Sequence, residues 1–434
     1  MTHTPRAERI SRWLAAGRLA ALAWLPLVAG LSTSPADAAD LPHPWVQFTA
    51  TGGLEARAIV APGMKCPQVM SAKTPLASVV RAEPNEAFPI QVCATPIPTG
   101  ADRLTVGGLP VPSMPRQVNR VAILGDTGCR LKGKYVQDCN DPAAWPFATV
   151  ARLAAGRKPD VVIHVGDYHY RETPCPTDRP GCAGSPHGDN WAVWQKDVFI
   201  PAEPLFPVAP LVLTRGNHEL CDRGGQGWFR TLDPRPSIEC VAQTDPYTLS
   251  IGPLSLLMLD SAPANDQQAD PKLVPVYQEH LKALYAKARP DSWLVTHRPI
   301  WAFVLNGYAP VGTTTNATLQ AAAANAMPAN VSMILSGHIH SFMTYDFGGV
   351  RPSQLVVGEG GDAVDEIAHP LPVGQSIDGK PIKRGMALGD YGYVLLQRVA
   401  GGWDAATYSL SDKVIARCQI RGRSIACNPV KASS

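Results

Sequence analysis

Five short segments of this chain carry side chains that can hold cations. In chain order they are Gly125-Asp126-Thr127-Gly128, Gly166-Asp167-Tyr168-His169-Tyr170, Gly216-Asn217-His218-Glu219, Thr296-His297 and Gly337-His338-Ile339-His340. Carboxylate and amide oxygens together with imidazole nitrogens make a donor set suited to first-row transition ions. His338 and His340 are two apart, so an extended segment turns both to the same side, where they can reach two neighbouring ions. Two ions roughly 3.5–4 Å apart clamp both oxygens of an in-line displacement at phosphorus and acidify a bound water. Any one of these residues alone reads as a turn aspartate, a capping asparagine or a surface histidine. Structural turns have no reason to collect five such types in order.

The segments share a position as well as a chemistry. Each follows an apolar run of strand length: Val121–Leu124, Val161–Val165, Leu211–Leu213, Trp293–Val295 and Ser332–Leu335. In α/β folds, sites form at the carboxyl ends of strands. Gly125, Gly166, Gly216 and Gly337 each precede a candidate ligand, which allows a sharp turn and a close approach there. Helical stretches near Ala143–Ala155, Pro275–Ala288 and Thr318–Met327 alternate with the strands, which predicts an α/β layer structure. Before it, residues 39–115 read as a small all-β domain with short runs at Trp45–Thr49, Leu54–Val60, Ser78–Ala82 and Ile90–Ala94, closed by a linker at Pro110–Pro115. Pro174–Asn190 reads as a loop insertion. After Gly358 the pattern is β-like again and ends in a hairpin around Arg421-Gly422-Arg423. The expected divisions are a signal peptide over 1–38, the β domain over 39–115, a catalytic domain over 116–400 and a β extension over 401–434.

Arg6, Arg9, Arg12 and Arg18, the apolar stretch Leu19–Leu31 and the small-x-small site Ala36-Asp37-Ala38 make up an export signal. The apolar stretch is short for a membrane span, so no stable anchor is expected after cleavage. Removing residues 1–38 takes away four arginines and two acids, and the formal net charge falls from +3 to +1. A near-neutral chain gives no support for a nucleic-acid or membrane-surface partner. Ten cysteines fit a periplasmic or secreted protein, and sequence neighbours are the natural pairs: Cys66 with Cys93, Cys129 with Cys139, Cys175 with Cys182, Cys221 with Cys240 and Cys418 with Cys427. The lack of any C-x-x-C pair argues against a structural zinc site.

Taken together and in this order, the five motifs resemble the metallophosphoesterase, or calcineurin-like, superfamily over about Val121–Gly361. Gly128, where most of the superfamily has a metal-binding histidine, and Tyr170, three residues after Asp167, resemble its purple acid phosphatase branch. An anionic phenolate oxygen favours a ferric ion. The resemblance implies a four-layer α/β/β/α sandwich and two metal ions, Fe3+ plus Zn2+, Mn2+ or Fe2+. It implies a first ion held by Asp126, Asp167, Tyr170 and His340, and a second by Asp167, Asn217, His297 and His338, with Asp167 bridging. It further implies attack by a metal-bound hydroxide, with His218 protonating or hydrogen-bonding the leaving oxygen and Glu219 orienting His218. Arg130 is placed to meet a phosphate oxygen, with a solvated arginine as the ordinary alternative. His169 is a candidate for the substrate pocket. The expected activity is hydrolysis of a small phosphorylated substrate, as an acid-phosphatase-like phosphomonoesterase. A phosphodiesterase on the same fold and a non-catalytic metal- or phosphate-binding module are the rivals. His218 speaks against the second, since a pure binder needs no leaving-group acid.

Overall fold

The computed structural model describes residues 41–303, 314–324, 327–364 and 373–430. The expected signal peptide lies outside these residues. Two large sheets dominate. The first has eleven strands, in the order Ser424–Pro429, Val414–Arg421, Gly402–Ser409, Gly392–Val399, Arg120–Leu124, Val161–His164, Leu211–Leu213, Trp45–Phe48, Leu54–Val60, Gln91–Ile97 and Val79–Ala82. The second has seven: Tyr247–Ile251, Leu254–Met258, Ser292–Val295, Val331–Ser336, Ser353–Val357, Phe342–Asp346 and Arg384–Leu388.

Alternation along the strands builds the layers. Val121 and Ile123 turn into the core between the sheets, where they join Val161, Ile163, Leu256, Trp293, Leu335 and Leu355. Ala122 and Leu124 turn the other way and pack with Phe147, Val150 and Ala151 of the helix Phe147–Gly156. On the far side, Leu257, Leu294 and Ile334 meet Tyr277, Leu281 and Leu284 of the helix Leu273–Tyr285, together with Leu319 of the short helix Ala317–Ala322. A strand with both faces covered needs apolar residues at every position. That is why these strands read as unbroken apolar runs, and the result is the expected four-layer sandwich.

The centre of each sheet is parallel. Arg120–Leu124 pairs with Val161–His164, and that strand with Leu211–Leu213, all in parallel. Leu254–Met258, Ser292–Val295, Val331–Ser336 and Ser353–Val357 do the same in the other sheet. Parallel strands deliver their carboxyl ends to one edge, where the five motifs lie.

The N-terminal region is all-β, as expected; Thr74–Leu76, Val69–Ser71, Leu104–Val106 and Leu109–Pro110 form a small sheet of their own, and its other strands join the first large sheet. Trp45–Phe48 pairs in parallel with Leu211–Leu213 and carries the next strands onto the edge of the first sheet. At the other edge Gly392–Val399 and Gly402–Ser409 form a hairpin, so the sheet runs across residue 400. The described residues make one compact unit. All five neighbour pairings of the cysteines are present as disulfides.

Candidate metal centre

Three candidate ligands sit in backbone conformations that side chains seldom adopt. Asp126, Asp167 and His338 have φ of 55°, 58° and 73°. Such residues cost of order 1–3 kcal/mol each and persist where their surroundings over-determine them. The loops here are stitched to one another. The Asp126 N–H donates to Gly166 O at 2.9 Å, Thr127 to Asp167 O at 3.0 Å, and Gly337 to His297 O at 2.9 Å. The Asp126 carboxylate accepts the His338 N–H at 2.9–3.1 Å, and Asp167 Oδ1 accepts the His218 N–H at 2.8 Å.

The side chains converge on two adjoining groups that share Asp167. In the first, the Tyr170 hydroxyl lies 3.1 Å from Asp126 Oδ1, 2.9 Å from Asp167 Oδ2 and 3.0 Å from His340 Nε2. In the second, His297 Nε2 lies 3.1 Å from Asp167 Oδ2 and 3.2 Å from Asn217 Oδ1. Ligand atoms of Asp167, His297 and His338 all fall within 4.8 Å of one another. His297 Nδ1 is 2.9 Å from Val165 O and His340 Nδ1 is 3.0 Å from Ala363 O. The Val165 carbonyl takes the outer proton of His297 and turns its Nε2 lone pair inward, and His340 likewise presents its Nε2 to the group.

Two glycines are needed for this closeness. A Cβ on Gly128 would sit 2.4 Å from Tyr168 O and 2.9 Å from the Tyr170 ring, so no larger residue fits at 128 against this loop. A Cβ on Gly216 would run into the Asp167 carboxylate.

These residues fit a pair of ions. Asp126 and Asp167 are both buried. Burial, and then the charge of Asp167, push Asp126 well above the usual carboxylate range. Burial works against ionising Asp167 as well, but the neighbouring His297 holds it well below that range. Cations between the two carboxylates relieve this repulsion.

His218 lies beside the group, with its ring 3.8 Å from that of Tyr170 and its Nε2 3.8 Å from Asp167 Oδ2. Its orienting partner is not Glu219. Both Glu219 oxygens are taken by backbone N–H groups of Gly216, Asp167, Tyr168 and His169, at 2.8–3.2 Å. Glu219 therefore clamps two ligand loops together. The His218 ring is held instead by Glu172, with Oε1 2.6 Å from Nδ1, and by Arg223, which pairs with the same carboxylate. Burial pushes the His218 imidazole down to about 3 despite the nearby Asp167, so the ring is neutral.

His169 does not line the site. Its Nε2 is 3.0 Å from Gly188 O and its ring stacks on Trp194 at 6.1 Å, so it is buried against the loop insertion. Arg130 does reach the site. It forms a bidentate pair with buried Asp362, lies over the Tyr170 ring at 5.3 Å, and has Nη2 3.1 Å from His340 Nδ1.

The motifs did not disclose Glu172, Arg223 and Asp362, nor Asp197. Buried Asp197 pairs with Arg171 at 2.6 Å and accepts the N–H groups of Tyr170 and Cys129. Glu172 and Arg223 follow the second and third motifs closely, and that proximity was the available signal.

Among solved structures the chain is similar to a purple acid phosphatase from yellow lupin (Lupinus luteus) seeds, with TM-score 0.54, 15% identity, and 88% of this chain and 73% of that one covered. It is similar to the same degree to PhoD, with TM-score 0.54, 13% identity, and coverage of 90% and 92%. At such identities the likeness is one of fold. No curated protein sequence matches the chain. The sequence model of the calcineurin-like phosphoesterases matches residues 119–342, about half of the chain and all five motifs. The chain thus belongs to the calcineurin-like phosphoesterase family.

Proposed function

We propose that this phosphoesterase is a two-metal phosphomonoesterase of the acid-phosphatase kind, acting on a small phosphorylated substrate after export. The observation that carries the reading is the Tyr170 hydroxyl, within 3.1 Å of both aspartates and of His340. Asp126, Asp167, Tyr170 and His340 would hold a ferric ion, for which a phenolate is a fitting donor. Asp167, Asn217, His297 and His338 would hold a divalent ion: zinc, manganese or iron. When bound, the ions supply Lewis acidity toward the phosphate oxygens and an acidified water.

The protein's own groups do the rest. The Glu172 carboxylate holds His218 by Nδ1, so that a proton the ring takes up from solvent sits on Nε2, from which it passes to the leaving oxygen. Arg130, fixed by Asp362, offers a guanidinium to a phosphate oxygen at the first group. Export is supported by the five disulfides, and no helix among the described residues is long and apolar enough to cross a membrane.

Metal analysis with a visible spectrum tests the centre. Two ions per chain and a tyrosinate-to-ferric band are expected, and Asp167→Ala is expected to strip metal and abolish hydrolysis of an aryl phosphate. Unchanged metal content in that variant would overturn the assignment. A panel of monoesters and diesters at acid and neutral pH tests the substrate class, and faster turnover of a diester would replace the monoesterase reading.

A further inference from the structure

Asp266 lies outside every motif, on the loop between the strand Leu254–Met258 and the helix Leu273–Tyr285. Its carboxylate is nevertheless fully engaged. Oδ1 accepts the Thr315 hydroxyl at 2.6 Å and the Asn316 amide at 2.8 Å. Oδ2 pairs with the Arg298 guanidinium and lies 3.0 Å from His338 Nε2. Arg298 Nη1 is itself 2.9 Å from that same Nε2.

His338 Nε2 thus faces an acceptor-only carboxylate and a donor-only guanidinium, and it can satisfy one of them. If Nε2 keeps a lone pair for Arg298, the ring proton sits on Nδ1, and His338 has no lone pair for an ion shared with Asp167 and His297. If Nε2 carries the proton and gives it to Asp266, Nδ1 is left as a ligand. Arg298 is then satisfied by Asp266 itself and by Ala262 O at 3.3 Å. The chemistry of the donor set selects the second arrangement.

The geometry points to Asp266 as a positioning residue for the second ion: it holds His338 in the Nδ1-ligating tautomer, and Arg298 holds Asp266 in place. This rests on the two-metal reading above. It also distinguishes the two histidines of that ion. His297 gives its outer proton to a neutral carbonyl at 2.9 Å, whereas His338 gives its proton to a carboxylate. A carboxylate acceptor makes the imidazole a stronger donor. The second site is therefore built to bind its ion more tightly than a neutral histidine pair alone would allow.

The test uses Asp266→Asn. With Oδ1 still occupied by Thr315 and Asn316, the new amide turns its NH2 toward Nε2 and forces the wrong tautomer. Purified protein is dialysed against a buffered Zn2+ series, and metal content is read beside the ferric band and the thermal melt. D266N is expected to bind the second ion about 10–100-fold more weakly, the usual effect of losing an outer partner, while the ferric band persists. Thr315→Val removes a bond to Oδ1 alone and should keep both ions. Should D266N not fold, Arg298→Gln carries the test, with an expected loss of zinc affinity and an intact ferric band. Wild-type zinc affinity in the folded variants overturns the inference and leaves the two-metal reading standing. Equal loss of zinc in T315V and D266N overturns it as a mere loop anchor. A wild-type chain that binds no second ion overturns both.

Discussion

The buried ionisable groups of the metal centre survive because each has a specified partner. Asp126 and Asp167 share the Tyr170 hydroxyl, and burial followed by both carboxylates pushes that phenol well above its ordinary value. A phenol in such surroundings ionises only against a strong cation. Tyr170→Phe is expected to keep the fold, lose the visible band and weaken retention of the first ion, as read by absorption and metal analysis. His218 depends on Glu172 for its orientation. His218→Asn and Glu172→Gln are both expected to lower kcat by about 100-fold or more, the usual contribution of a placed acid–base group. Metal content and Tm should stay unchanged, and steady-state kinetics beside metal analysis would show whether they do. Displaced metal in either variant would move these residues from proton handling to ligation.

The elements meet at their ends, and the loops there hold one another. Glu219 illustrates this, since its carboxylate takes four N–H groups from two loops that follow different strands. A buried N–H left unpaired costs about 1–3 kcal/mol. Glu219→Ala is therefore expected to lower stability by at least ~3 kcal/mol and to loosen both ions together. Calorimetry separates this from Glu172→Gln, which should slow catalysis at an unchanged Tm. A Glu219→Ala variant with wild-type Tm would show that water replaces the clamp without loss.

Among the described residues the two large sheets pack face to face between helices, with the parallel centre of each feeding one edge. The antiparallel strands at the N- and C-terminal ends of the chain widen the first sheet away from that edge. The Cys66–Cys93 disulfide belongs to this outer part and closes a loop with a sequence separation of 27. Chain entropy gives such a link about 3.5 kcal/mol. Replacing both cysteines by serine is expected to lower stability by roughly that amount and to leave kcat at 25 °C unchanged. Denaturant titration with parallel assays checks both parts, and a fall in kcat would mean that the outer strands bear on the centre.

The sequence by itself determined the apolar strands and the order of the motifs; connectivity of the cysteines is not fixed by sequence, but the expected neighbour pairing is the one present. The strands and the motifs follow from local facts: strands covered on both faces are apolar throughout, and ligand types recur at the strand ends. Helix and strand limits differ from the pattern by only a few residues, as with Phe147–Gly156 against Ala143–Ala155. Tertiary structure decided what the side chains between the ligands do. His169 and Tyr170 are adjacent, yet one faces the loop insertion and the other the aspartates, because successive side chains of an extended segment diverge. Glu219 looked like the partner of His218 through adjacency alone, and the place went to Glu172 because only the folded loops bring that carboxylate within 2.6 Å. Asp266 and Asp362 reach their histidines across 72 and 22 residues of chain, and no spacing rule covers contacts between loops that only the assembled sheet brings side by side.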